Sequence, residues 1–116
     1  MRRGEIRWVR FDPAEGSSAN KRRPAIIVSN NGANRAAERH GRGVVTVVPV
    51  SSNTATVFPF QVLVPLDASG LKQDSKAQCQ QVRSVSVMRI GGVIGTLSTD
   101  LMDAIDGALK VHLGLE

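Results

Sequence analysis

The chain has 116 residues, of which 41% are hydrophobic and 22% charged; this balance is typical of one folded domain, residues 1–116, and excludes a disordered polyelectrolyte. No apolar run is long enough to span a bilayer and no secretory signal follows the first residues, so we expect a cytoplasmic protein without a membrane segment. With one cysteine, Cys79, and two scattered histidines, we expect neither a multi-cysteine zinc site nor any cofactor.

The positive charge is concentrated in the first part of the chain. Residues 1–42 hold ten Lys/Arg against four acids, whereas residues 43–116 hold five against six. A basic segment beside a near-neutral one indicates a surface that binds a polyanion, most commonly nucleic acid and otherwise an acidic protein segment. The alternative is that these cations only keep the protein soluble.

Up to residue 97 the pattern is one of short strands separated by turns. Residues 25–28, Ala-Ile-Ile-Val, are apolar without interruption, as in a central strand covered on both faces. Pro49 is expected to mark the end or the edge of its strand. The predicted strand segments are 5–11, 25–30, 44–50, 58–66, one or two strands within 75–90, and 91–97.

Two segments have helical patterns, and one long loop precedes the central strand. Residues 12–23 form a polar loop, and Pro24 keeps Arg23 extended at the junction with the strand. Residues 32–43 predict one or two helical turns between glycines. Residues 98–115 place apolar side chains on one stripe at helical spacing, with Ser98 or Thr99 as the N-cap, so we predict a C-terminal helix. Five to seven short strands closed by a helix indicate a strongly bent sheet or barrel.

The residues that could act on an anion lie where loops meet strands. Arg23 presents a fixed fork of donors suited to phosphate. Ser51 and Ser52 directly follow a β-branched strand, where a hydroxyl can donate to a phosphate oxygen or, more commonly, end the strand by bonding to the backbone. No metal motif, nucleotide-binding loop or conventional catalytic triad is present.

Taken together, these segments resemble the MazF/PemK (Kid-like) toxin family over essentially the whole chain. The match consists of six motifs in the family's order and spacing. They are RRGEI (2–6), DP…GSS (12–18), KRRPAIIVSN (21–30), VVPVSSN (47–53), FPFQV (58–62) and QQVRSV (80–85). Six motifs in register are far more specific than any one of them.

The resemblance implies a mainly β (α+β) fold, namely a small SH3-like barrel of about five to seven strands with a C-terminal helix. It also implies a homodimer that an acidic cognate antitoxin inhibits. The implied activity is sequence-specific, metal-independent cleavage of single-stranded RNA, in which the 2′-OH attacks its own phosphate and leaves 2′,3′-cyclic phosphate and 5′-OH ends.

Residue by residue, the resemblance assigns catalysis to Arg23, which matches the family's arginine before proline, and to Ser51, which matches its threonine after "P-x". Arg23 would contact the scissile phosphate and Ser51 would donate to a phosphate oxygen. RNA binding is expected from a further set of polar and basic side chains, Lys21, Arg22, Ser52, Asn53, Arg83 and Arg7.

The sequence departs from the family pattern at four positions. Arg7 stands where the family has Trp, and Arg10 stands where it has an acid three positions further on. The indole of this chain is at Trp8 instead. Ser18 and Gln80 stand where the family has two further acids. Each change removes negative charge or adds positive charge, which favours phosphate binding. Two alternatives therefore stay open: a non-catalytic barrel that binds nucleic acid or poisons a protein such as gyrase, and an inactive homologue that only binds antitoxin.

Overall fold

The computed structural model describes residues 1–11 and 22–115, which form one bent antiparallel sheet and two helices. The strands are β1 Glu5–Val9, β2 Arg23–Ile27, β3 Val44–Ser51, β4 Gln61–Val64, β5 Ser75–Gln78, β6 Arg83–Ser86 and β7 Ile90–Thr96, and the helices are α1 Asn31–His40 and α2 Thr99–Leu113. The prediction of a mainly β fold with a C-terminal helix is confirmed. Neither of these two helices is long and apolar enough to cross a bilayer.

The sheet has the strand order β4-β5-β3-β2-β1-β7, and β6 also pairs with β3. The eight residues of β3 carry β2 along one edge; on the other edge they carry first β6 and then β5. This change of partner bends the sheet. Within the described residues the end strands β4 and β7 do not pair with each other, so the sheet is barrel-like without being a closed barrel.

Pro49 lies inside β3, which corrects the expectation that it would mark the strand's end or edge. β3 pairs with β6 up to Val47 and with β5 from Val50 onward. Pro49 falls in the interval between these two ladders, where a missing N–H removes no hydrogen bond to either strand. The strand therefore continues through the proline to Ser51.

The core consists of two apolar layers on opposite faces of the central strands. One layer lies under α2, where Ile26 and Val48 pack with Ile105. The other contains Ile27, Val47 and Ala37 of α1, among others. Because side chains alternate between faces along a strand, β2 and β3 contribute to both layers. The uninterrupted apolar run of β2 follows from this double burial.

Both helices have side-chain N-caps and glycine C-caps. The Asn30 Oδ1 accepts from the Ala33 N–H at 2.8 Å and Gly41 ends α1 with φ +65°, so α1 covers ten residues rather than the predicted one or two turns. Ser98, one of the two predicted caps, accepts from the Leu101 N–H at 3.2 Å. The predicted apolar stripe of α2 is buried as far as Ala108 and half-buried at Leu109. Its last turn, including Leu113, is exposed.

Candidate functional site

A groove of about 730 Å³ lies at one end of the sheet, where β2 begins and β3 ends. It is lined by Pro24 of β2 and by Pro49 of β3, which pairs with the neighbouring Ala25. One wall is formed by Trp8 and Phe11 at the end of β1, and another by the loop 70–73 that precedes β5. The groove therefore collects residues from six separate stretches of the chain.

Arg23 and Ser51 enter this groove from neighbouring antiparallel strands. The β2–β3 ladder ends where Ala25 pairs with Pro49, and Arg23 and Ser51 each lie two residues beyond that pair. Both residues line the groove. The structure thus brings the two predicted catalytic residues together.

The turn after β3 orients the Ser51 hydroxyl. The backbone N–H of Asn53 donates to Ser51 Oγ at 3.2 Å. One lone pair of the hydroxyl oxygen is occupied in this way, while its hydrogen stays available to donate into the groove. Asn53 is not among the residues that line the groove, and its Oδ1 accepts from the Ala55 N–H at 3.2 Å. Its contact with RNA stays a prediction.

Two predicted RNA-binding arginines line the groove and lie over aromatic rings. The Arg22 Cζ is 5.4 Å from the centre of the Trp8 ring, and the Arg83 Cζ is 5.2 Å from the centre of the Phe11 ring. These distances are in the range of cation–π attraction. Ser52 also lines the groove and is exposed.

Arg7 lies outside the groove. Its Nη2 is 2.9 Å from Glu5 Oε1, its Nη1 donates to the Gly91 carbonyl at 3.1 Å, and its side chain is only 16% exposed. Although burial raises the pKa of the Glu5 carboxyl, the Arg2 N–H and the Arg7 guanidinium outweigh burial and hold that pKa below its ordinary value. The Arg7 guanidinium therefore forms an ion pair with Glu5 on the same strand, β1. Lys21 lies outside the described residues.

The structure adds groove residues that the sequence did not single out. The loop before β5 contributes Lys72 and Gln73, and the turn after β5 contributes Gln81, whose Nε2 donates to Gln78 Oε1 at 3.2 Å. Nothing in the local pattern of these polar residues indicates a site. Trp8, the indole displaced from the family position, also lines the groove.

The described part of the groove has a positive lining. Its charged side chains are Arg22, Arg23, Arg83 and Lys72, and no carboxylate or imidazole is found among its described residues. Nor do residues 1–11 and 22–115 contain a group of three or more His, Cys, Asp or Glu that could hold a metal. Cys79 is buried in the core, where burial and then the charge of Asp106 raise the pKa of its thiol to about 11, so it is not a nucleophile at neutral pH.

The model of PemK-like, MazF-like toxins of type II toxin–antitoxin systems matches residues 2–113. The chain belongs to this family. The resemblance inferred from the six motifs is thereby confirmed. Among its relatives, this PemK/MazF protein is 54% identical over 115 residues to the endoribonuclease MazF9 of Mycobacterium tuberculosis, covering 99% of this chain and 98% of the relative.

Solved structures of MazF proteins share the fold of this family member. One is a mycobacterial endoribonuclease in complex with its cognate antitoxin, with a TM-score of 0.76 and 22% identity, covering 100% of this chain and 97% of that one. Another is a MazE–MazF complex from Deinococcus radiodurans, with a TM-score of 0.77 and 24% identity, covering 100% and 98%. The bent sheet with a C-terminal helix is thus the PemK/MazF fold.

Proposed function

We propose that this chain is the toxin of a type II toxin–antitoxin pair and a sequence-specific endoribonuclease that cleaves single-stranded RNA without a metal. The attacking group is the ribose 2′-OH, and the products carry a 2′,3′-cyclic phosphate and a 5′-OH. Membership of the family and the 54% identity to an endoribonuclease support this proposal. The observation that carries it is that Arg23 and Ser51 line the same basic groove.

The two residues have complementary roles. As the 2′-oxygen loses its proton to water and bonds to phosphorus, the phosphorane gains negative charge. This charge must be stabilised before the bond to the 5′-oxygen breaks and that oxygen takes up a proton from water. Arg23 provides paired N–H donors and a fixed positive charge for this, and because a guanidinium stays protonated, charge stabilisation is a better role for it than that of a free base. Ser51 donates its hydroxyl hydrogen to a non-bridging phosphate oxygen.

The remaining groove residues bind the strand on either side of the reacting phosphate. Arg22, Arg83 and Lys72 supply positive charge, and Ser52 supplies a second hydroxyl. Contacts of this kind to phosphates give affinity without sequence information. We expect the protein to act in the cytoplasm, where its RNA substrate is found.

The test is cleavage of a mixed RNA pool in the presence of EDTA, with the new ends mapped by sequencing. We expect cuts at one short motif, with 5′-OH ends. Arg23→Ala should abolish them, whereas Arg35→Ala, which removes an exposed arginine on α1 outside the groove, should not. An intact pool would rule out the nuclease, and RNA that is bound but uncut would favour a non-catalytic binder.

We also propose a homodimer and an acidic antitoxin as partners. Antitoxin complexes of structural neighbours support the second partner, and a basic groove suits an acidic segment. Light scattering at micromolar concentration should give twice the 12.4 kDa chain mass. A monomeric mass would contradict the dimer.

A further inference from the structure

Both arginine–aromatic contacts in the groove draw their rings from one short segment. Trp8 lies in β1, and Phe11 lies two residues beyond the last residue of that strand. The arginines come from elsewhere: Arg22 directly precedes β2, and Arg83 begins β6. One segment thus supports two guanidinium groups that belong to different parts of the sheet.

Each guanidinium is held on one side and open on the other. Trp8 and Phe11 are half-buried, whereas Arg22 and Arg83 are exposed and line the groove. Within residues 1–11 and 22–115, no carboxylate lies within ion-pair distance of either guanidinium. A planar guanidinium lying over a ring keeps a second flat face, together with the N–H groups at its edge.

We propose that Arg22 on Trp8 and Arg83 on Phe11 are two base-stacking platforms. Each one holds an RNA base against the outer face of its guanidinium, so that ring, guanidinium and base form three layers. The inference rests on the proposed function, since the bases belong to the strand whose phosphate Arg23 and Ser51 hold. Trp8 and Phe11 are positioning residues, because they act through the arginines.

The use of aromatic residues in this chain supports bases as the ligand. The sequence has only one Trp, three Phe and no Tyr. Two of these four rings, Trp8 and Phe11, lie under groove arginines, while Phe58 and Phe60 stack on each other with centroids 5.4 Å apart. A phosphate or an acidic peptide would be attracted equally well by unstacked cations. Flat guanidinium faces add attraction only for a flat ligand such as a base.

The experiment measures binding to probes that cannot be cut. One is a fluorescein-labelled 2′-O-methyl RNA of about twelve mixed nucleotides, long enough for one groove. The other has the same number of phosphates but only abasic sugars. Fluorescence anisotropy gives Kd for each probe at several salt concentrations. Emission of Trp8, the only tryptophan, should change with the first probe and not with the second.

The wild-type protein should bind the base-containing probe about tenfold more tightly than the abasic probe. Trp8→Leu should lose most of that preference with an unchanged salt dependence, and Trp8→Phe should restore it. Arg22→Lys should behave as Trp8→Leu does, because lysine keeps the positive charge but has no planar guanidinium on which a base can stack. Arg22→Gln should instead weaken binding to both probes and reduce the salt slope by about one. Phe58→Leu, which removes a ring outside the groove, is the matched control.

The parallel pair Phe11→Leu and Arg83→Lys tests the second platform. Far-UV circular dichroism checks the fold of each variant; since Arg22 and Arg83 are exposed, their lysine variants serve even if Trp8→Leu does not fold. Equal losses on both probes in the lysine and leucine variants, or no loss in them, would overturn the platforms and leave a base-independent polyanion site. Absence of RNA cleavage by the wild type would overturn only the nuclease, because neither probe needs to be cut.

Discussion

Ser51 and Lys76 lie directly opposite each other on β3 and β5, and Lys76 anchors the loop that follows Ser51. Lys76 is 9% exposed, and its Nζ donates to the Thr56 carbonyl at 2.8 Å. A lysine is rarely this buried without a partner. Within the same loop, the Asn53 N–H donates to Ser51 Oγ and the Ala55 N–H donates to Asn53 Oδ1. The Ser51 hydroxyl thus accepts a hydrogen bond from the loop that Lys76 anchors at Thr56.

Replacing Lys76 should therefore impair the reaction more than binding. In Lys76→Met the apolar stem still fills its space, but the bond to Thr56 is lost and the loop loosens. We expect kcat to fall about tenfold, since a small displacement of a reacting group is costly. KM should stay within about twofold of the wild-type value. The free energy of unfolding should change by no more than about 2 kcal/mol, because losing the hydrogen bond to Thr56 destabilises the fold whereas removing a buried charge stabilises it.

Lys72→Met is the matched control, because this lysine is exposed on the groove wall. Its loss should raise KM and lower the salt slope of RNA binding by about one, with Tm unchanged. If the two variants gave the same kinetic profile, Lys76 would have no separate role in placing Ser51.

Removing the Ser51 hydroxyl should slow cleavage without weakening RNA binding much. We expect Ser51→Ala to lose about a hundredfold in kcat, the effect of deleting one donor to a charged transition state. Ser51→Thr keeps the hydroxyl and should retain most of the rate. Single-turnover cleavage at saturating protein measures both. Equal rates for the alanine and threonine variants would show that the hydroxyl does not act on the phosphate.

Gly95 allows the loop that forms the far groove wall to lie against β7. A Cβ at Gly95 would be 2.0 Å from the Ser69 carbonyl oxygen, and one at Gly70, whose φ is +80°, would be 2.6 Å from the Ile94 oxygen. Two stretches of backbone thus meet where no side chain fits. This contact holds the wall that carries Lys72.

Gly95→Ala should consequently destabilise the fold and weaken RNA binding together. We expect a loss of about 2–4 kcal/mol in the free energy of unfolding, measured by urea titration. Gly107→Ala is the control, since this exposed glycine in α2 has open space around its Cβ and should gain about 0.5–1 kcal/mol. A Gly95→Ala protein as stable as the wild type would mean that the wall and β7 can separate freely.

The Glu5–Arg7 pair should make stability depend on acid pH. Because the pKa of Glu5 is lowered in the folded state, its contribution is fully present above the ordinary pKa of a glutamate. That contribution is lost as pH falls through the lower pKa of the folded state. Arg7→Gln should therefore cost about 1–2 kcal/mol at pH 7, and this difference should shrink below about pH 4. Chemical denaturation at a series of pH values measures it.

A difference between wild type and Arg7→Gln that is constant down to pH 3 would contradict the ion-pair origin of this stability. The same variant tests the RNA contact predicted for Arg7 from the sequence. Weaker RNA binding at a pH where the variant is fully folded would support that contact.

The sequence by itself determined the elements whose signal is local. Spacing over a few residues predicts the apolar stripe of α2 before Leu109 and the strand after Pro24 whose two faces are buried. The proline itself predicts the extended backbone of Arg23. Six motifs in register also determined the family. The length of α1 was underestimated because its stability depends on the Asn30 cap and on the packing of Ala37 into the core.

Only the tertiary structure decided how the groove is assembled. Register shifts between β1 and β7 on either side of Arg7 accompany its long-range hydrogen bond to the Gly91 carbonyl, while Trp8 lines the groove. Lys72 joins the wall through a backbone contact at Gly95. Such neighbours are distant in sequence, and their meeting depends on strand register and close backbone approach, which no local pattern of residue types encodes.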